Sequence, residues 1–122
     1  MNVIEVGKRL VELTTSGQDE VALAELYADN VVSIETAPTD EDAASWEGLD
    51  AVREKHAWWN SVATMHDTTA EGPFAGFGDD CFVVKFWMDV TMEGERNQMT
   101  EVGVFTVADG KIVREVYLPL MT

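Results

Sequence analysis

The stretch CFVVKFWMDVTMEGERNQMTEVGVFTVADGKIVREVYL, residues 81–118, decides the fold. From Phe82 every second residue is apolar, through Val84, Phe86, Met88, Val90 and Met92. This period of two is the mark of a strand with one covered face. The alternates are Cys81, Val83, Lys85, Trp87, Asp89 and Thr91. Glu93-Gly94-Glu95-Arg96 reads as a four-residue turn, and a second strand follows from Asn97 to Ala108. Asp109-Gly110 is a two-residue hairpin signal, and residues 111–118 form the last strand. In that register one face carries Phe82, Val84, Phe86, Met88 and Val90, then Met99, Glu101, Gly103, Phe105 and Val107, then Ile112, Arg114, Val116 and Leu118. Apart from Glu101 and Arg114 it is apolar, so it is the covered face. The other face places Trp87, Val102 and Tyr117 in one row, and Val83, Thr106 and Val113 in another. A face this apolar is read as an association surface, and a homodimer formed through Trp87, Val102 and Tyr117 is expected.

Upstream, the period changes. Val3, Val6, Leu10 and Leu13 recur on one helix face, and Ser16-Gly17 ends that helix with Gly17 beyond the cap. A second helix is predicted from Asp19 to Tyr27, and a short strand over residues 31–36. Residues Ala37 to Trp46 read as an acidic, solvated loop containing Asp40-Glu41-Asp42. A third helix follows Gly48 with the stripe Leu49, Val52, His56, Trp59 and Ala63. Helices first and long antiparallel hairpins after them give an α+β fold, with the helices on one face of the sheet and an apolar pocket between. No linker divides the chain, so residues 1–122 are read as a single domain.

The chain has 122 residues with 23 acidic and 8 basic side chains, a net charge of −15. Such a surface repels nucleic-acid phosphates and anionic lipids, so neither a nucleic acid nor a membrane is expected as a partner. A single cysteine, Cys81, rules out an internal disulfide. The N-terminal segment lacks the pattern of a signal peptide, and no apolar run is long enough to span a bilayer. A cytoplasmic location is expected.

Glu101 is the main candidate for chemistry. A carboxylate on an apolar face loses hydration, which favours its protonated form. Such an acid serves either as a proton donor and acceptor or as a structural group bonded to a neighbour. Glu35, where the first strand enters the acidic loop, is the second candidate, and it pairs with Glu101 if it turns inward. His56 on the third helix and His66 at the start of the first long strand are further candidates; a lone histidine on a helix stripe is more often a core residue. The two histidines stand ten residues apart in the sequence, which matches no metal-ligand spacing. No metal or cofactor is expected. Tyr27, Trp58, Trp59, Phe86, Met88, Phe105, Val116 and Leu118, with Trp46, are the candidate walls for a small apolar ligand.

The segments Leu26-Tyr27-Ala28-Asp29-Asn30-Val31-Val32, Gly48-Leu49-Asp50-Ala51-Val52-Arg53 and 101–115 resemble a SnoaL-like domain of the nuclear-transport-factor-2-like superfamily. The resemblance covers nearly the whole chain. It implies a cone-shaped, cystatin-like fold: three N-terminal helices on a strongly bent antiparallel sheet around a pocket, dimeric through the sheet. It leaves activity open, because the superfamily includes isomerases, polyketide cyclases and noncatalytic members. By resemblance to ketosteroid isomerases, Glu35 stands at the place of a general base and Glu101 at that of a protonated acid. The tyrosine which those enzymes carry on the first helix is absent, that region reading Lys8-Arg9-Leu10-Val11. Two function classes follow: acid/base catalysis without a cofactor on a small apolar carbonyl compound, or a noncatalytic ligand-binding or dimeric interaction domain.

Overall fold

The structure, a computed structural model, describes residues 1–36, 44–76 and 78–120. Three helices, α1 (Val3–Thr15), α2 (Asp19–Leu26) and α3 (Leu49–Val62), accompany six strands. The strands are β1 (Tyr27–Glu35), β2 (Ala44–Glu47), β3 (Ala63–Ala75), β4 (Cys81–Met92), β5 (Glu95–Ala108) and β6 (Lys111–Pro119). They form one sheet in the order β2-β1-β6-β5-β4-β3. Neighbours are antiparallel except β1 and β6, which run parallel. The fully antiparallel sheet expected from the hairpins is corrected at that one pair. No helix among the described residues is long and apolar enough to cross a membrane.

Local chemistry explains the helix ends. Asn2 and Glu5 form a reciprocal capping box at the start of α1: the Glu5 backbone N–H donates to Asn2 Oδ1 at 2.9 Å, and the Asn2 N–H donates to Glu5 Oε1 at 3.0 Å. Gly17, at φ 74°, reverses the chain after α1, as predicted for a residue beyond the cap. Val6, Leu10 and Leu13 are buried, with Leu23 and Leu26 of α2 and Leu49 and Val52 of α3. These side chains close over Phe82, Val84, Phe86, Phe105 and Ile112 of the sheet.

Two turns set the register. Glu93 and Gly94 take φ of 51° and 81°, as the two central residues of a tight hairpin do, so the expected four-residue turn is a two-residue one. Met92 therefore faces Glu95, and Phe86 faces Glu101. The slip from the expected pairing is two residues, which preserves side-chain parity, so the inward faces of β4 and β5 are those predicted. Asp109-Gly110 forms the predicted turn, with Ala108 facing Lys111.

The last strand departs from expectation. Val107 pairs with Ile112 but Thr106 pairs with Arg114, leaving Val113 as an extra residue. Such a bulge moves every later side chain to the opposite face. Glu115 and Tyr117 therefore point inward, while Arg114, Val116 and Leu118 lie on the outer face. Val116 and Leu118 are thus removed from the ligand wall and Tyr117 from the outer face; Trp87 and Val102 remain on that face but not in one row, Trp87 facing Thr100 and Val102 facing Lys85 and Leu118. Ala44–Glu47, read as loop, is a strand paired with β1. The rest of that expected acidic loop, residues 37–43, lies outside the described residues.

Gly103 is fixed by packing. A Cβ placed there would lie 2.6 Å from the ring of Phe105, itself fully buried and stacked on Phe82 with ring centroids 4.9 Å apart. The ring has nowhere to retreat. Gly103→Ala is expected to lower stability by about 1–3 kcal/mol. Urea unfolding measures this, and a variant as stable as the wild type would refute the packing account.

Candidate functional site

The helices and the inner face of the sheet enclose a cavity of about 500 Å³. Its apolar wall includes Leu10, Leu23, Trp59, Phe86 and Met88, and Trp46, Trp58, Met65 and Met99 also line it. That size suits a small organic molecule. Tyr27, Asp19, Glu20, Glu35, Lys55, His56, Glu101 and Tyr117 supply most of its polar surface.

The polar groups are organised around Glu115, which is fully buried. Its carboxylate accepts hydrogen bonds from Tyr27 Oη at 2.6 Å, Ser33 Oγ at 2.8 Å and Tyr117 Oη at 2.8 Å. The register explains the meeting: Ser33 of β1 is the direct partner of Glu115 in β6, and Glu35 is the partner of Tyr117. Burial, then the neighbouring Glu115, pushes both tyrosine hydroxyls well above their ordinary range, so both remain donors. Ser33 in turn accepts a 2.8 Å bond from Lys55 Nζ. The same ammonium lies 2.6 Å from Glu35 Oε1. It also lies 4.8 Å and 5.0 Å from the ring centroids of Trp46 and Tyr117, so their faces flank it.

Glu101 projects from β5 into this arrangement. Burial pushes its carboxyl up from 4.5 to about 7; the charges of Glu35 and Glu115 push the same way, and Lys55 opposes them. Burial also raises Asp19, another lining acid, with His56 opposing and Glu20 adding. Among the described residues no three His, Cys, Asp or Glu side chains converge as a metal-ligand set.

Of the sequence candidates, Glu35, Glu101, His56, Tyr27, Trp58, Trp59, Phe86 and Met88 all line the cavity. His66 does not line it. A bulge between Met65 and Asp67 turns Met65 and Thr68 inward and leaves His66 exposed, 2.7 Å from Thr91 Oγ1. Phe105 is fully buried beneath the cavity and supports its floor. Sequence reasoning missed Ser33, Lys55 and Glu115. Lys55 precedes His56 and follows Val52 by three positions, which places it at the edge of the recognised stripe. Glu115 gave no signal of its own, because its orientation depends on the bulge at Val113.

Three helices over a six-stranded sheet, with acids and aromatics around a cavity, give an α+β cystatin-like fold. Residues 1–118 match the SnoaL-like domain, and the chain belongs to that family. No curated protein is significantly similar to it in sequence. Among solved structures, it is similar to a Mesorhizobium loti protein provisionally named a SnoaL-like polyketide cyclase and a carbohydrate phosphatase. The two are 33% identical, with 97% of this chain and 99% of that one covered and a TM-score of 0.85. A Xanthomonas campestris protein of unknown function with a cystatin-like fold matches with 17% identity, coverage of 99% and 92%, and a TM-score of 0.80. A provisionally named isomerase from Bacillus subtilis matches with 16% identity, coverage of 97% and 86%, and a TM-score of 0.73. The last two likenesses concern the fold alone.

The raised Glu101 has a consequence for stability. Between pH 4.5 and about 7 the folded chain keeps a proton that the unfolded chain has released. The folded state binds more protons there, so this contribution is complete below that window and is lost as pH rises through it. Glu101→Gln is expected to match the wild type near about pH 4 and to exceed it near about pH 8 by about 1–3 kcal/mol. Urea unfolding at both pH values measures the difference; an equal wild-type advantage at both would contradict the assigned environment.

Proposed function

We propose that this SnoaL-like protein moves protons on a small, mostly apolar carbonyl compound, without a cofactor, in a reaction of the isomerase or cyclase type. One observation carries the reading: a carboxyl group raised to about 7 by burial lines a cavity sized for such a molecule. A proton carrier works best when its pKa lies near the working pH, and groups of this kind contribute about 10²–10⁴-fold to rate. Glu101 is the carrier in this reading. Glu35, held at 2.6 Å by Lys55, serves as a partner to that ammonium and not as the base. His56 lines the same cavity.

The test is solvent-deuterium exchange at the carbon next to the carbonyl. A panel of cyclic ketones and 1,3-dicarbonyl compounds is followed by proton NMR. Wild-type protein is expected to accelerate exchange in part of the panel, with a rate profile that bends near about pH 7. Glu101→Gln is expected to lose at least about 100-fold of that acceleration. Exchange at the buffer rate throughout, with ligands nonetheless bound, would favour the second reading: a noncatalytic carrier, consistent with a Glu35 already occupied by Lys55.

The outer sheet face supports a second copy of the chain as partner. Trp87 and Val102 are half-buried there, and Leu118 is exposed beside Val102 on the neighbouring strand. Trp87→Glu is expected to convert a dimer to a monomer in sedimentation velocity. A wild type that is itself monomeric at micromolar concentration would refute this pairing.

A further inference from the structure

Lys55 is held more firmly than a surface lysine. Its side chain is 12% exposed, and its ammonium contacts Ser33 Oγ at 2.8 Å and Glu35 Oε1 at 2.6 Å. Ser33 is itself fixed by Glu115, so the position of the ammonium is set from beneath by the sheet. An ammonium has three hydrogens to donate. One is donated to Ser33, the ammonium lies in ion-pair contact with Glu35, and the faces of Trp46 and Tyr117 flank the group. Among the described residues no third acceptor binds it. Lys55 lines the cavity together with Glu101, and its charge acts on the Glu101 carboxyl.

We propose that Lys55 is the electrophilic residue of the site, its ammonium donating a hydrogen not given to Ser33 to the substrate's carbonyl oxygen and holding the enolate oxygen formed when Glu101 takes a proton from the adjacent carbon. This rests on the acid/base reading above and adds its missing half, the group that stabilises the developing negative charge. In the first step the C–H bond breaks and its electron pair forms the C=C bond. The carbonyl π pair moves onto oxygen, and the proton goes to the Glu101 carboxylate. Lys55 keeps its own proton throughout. In the second step Glu101 returns the proton to carbon, the C=O bond re-forms, and no electron enters or leaves. Glu35 and Ser33 hold Lys55 in place, so both are positioning residues. The substrate class is a neutral ketone or 1,3-dicarbonyl compound, because the surrounding acids Glu20, Glu35 and Asp19 disfavour one that carries a free carboxylate.

A phenol mimics the enolate, since its ionised oxygen sits beside a planar apolar ring. The probe is 4-nitrophenol, whose ionised form is read by absorbance. Bound to the wild type, it is expected to ionise about one to three pH units lower than when free, the effect of an opposite charge at contact distance. Lys55→Met and Lys55→Gln are expected to abolish that shift, while Lys55→Arg and Glu101→Gln retain it. Nitrogen-15 NMR of the wild-type lysine ammonium gives a check that needs no variant, because the Lys55 signal moves when the phenolate binds. An unshifted phenol on the wild type, a stationary Lys55 signal, or a shift retained in folded Lys55→Met overturns the proposal. A shift that depends on Lys55, with no exchange in the carbonyl panel, would defeat the acid/base reading while leaving Lys55 as the donor to a ligand's oxygen.

Discussion

A carboxylate with no access to water cannot stay in an apolar core unless its oxygens are satisfied, and Glu115 is satisfied by three hydroxyl groups. Much of the site depends on this. Tyr27 and Ser33 come from the first strand, Tyr117 and Glu115 from the last, so the network fastens the parallel pair of the sheet. Removing one donor would leave a buried acceptor short of a partner, at a cost of about 1–3 kcal/mol. The same network orients Lys55 through Ser33, and Lys55 in turn engages Glu35. Glu101, like Asp19 elsewhere in the cavity wall, is an acid whose solvation burial has stripped and no ion pair has replaced among the described residues. The site is a graded series: Glu115 bonded to hydroxyls, Glu35 bonded to an ammonium, and Glu101 facing the cavity.

Most of the fold was legible in the sequence because the two periods are clean. The stripe Val6, Leu10 and Leu13 defines α1, Gly17 ends it, and the alternation from Phe82 to Met92 defines β4. The inward faces of β4 and β5 were recovered despite a wrong turn length, because an error of two residues leaves parity intact. An error of one does not. The bulge at Val113 reversed the faces of Glu115, Val116, Tyr117 and Leu118, and nothing in the alternation of that strand announces it. Both parities of residues 111–118 contain apolar and charged side chains, so the pattern alone favours neither. The parallel pairing of β1 with β6 was also hidden, since a long-range neighbour leaves no trace in local spacing.

The candidate site was legible in part for the same reason. Glu101 stood out because an acid breaks an otherwise apolar face, and both the burial of that face and the raised carboxyl follow from it. Lys55 did not stand out. A lysine beside a helix stripe ordinarily runs its stem along the core and places its charge in water. Here two aromatic faces, a serine and a glutamate from other elements meet it, and all but Trp46 lie far from it along the chain. Convergence of that kind is a property of the assembled sheet.

The position of β6, between β1 and β5, also governs how the protein comes to exist. A strand that closes the middle of a sheet must join partners made early and late in the chain. Pairings of such long sequence separation raise contact order and place folding toward the slower end of the two-state range. A nascent chain that has emerged only through β5 has β2 and β1 on one side, the meander of β3, β4 and β5 on the other, and a gap between them. It also lacks Glu115 and Tyr117, and with them the acceptor that Ser33 needs to hold Lys55. Acquisition of the native sheet and acquisition of the polar half of the cavity are therefore the same kinetic event.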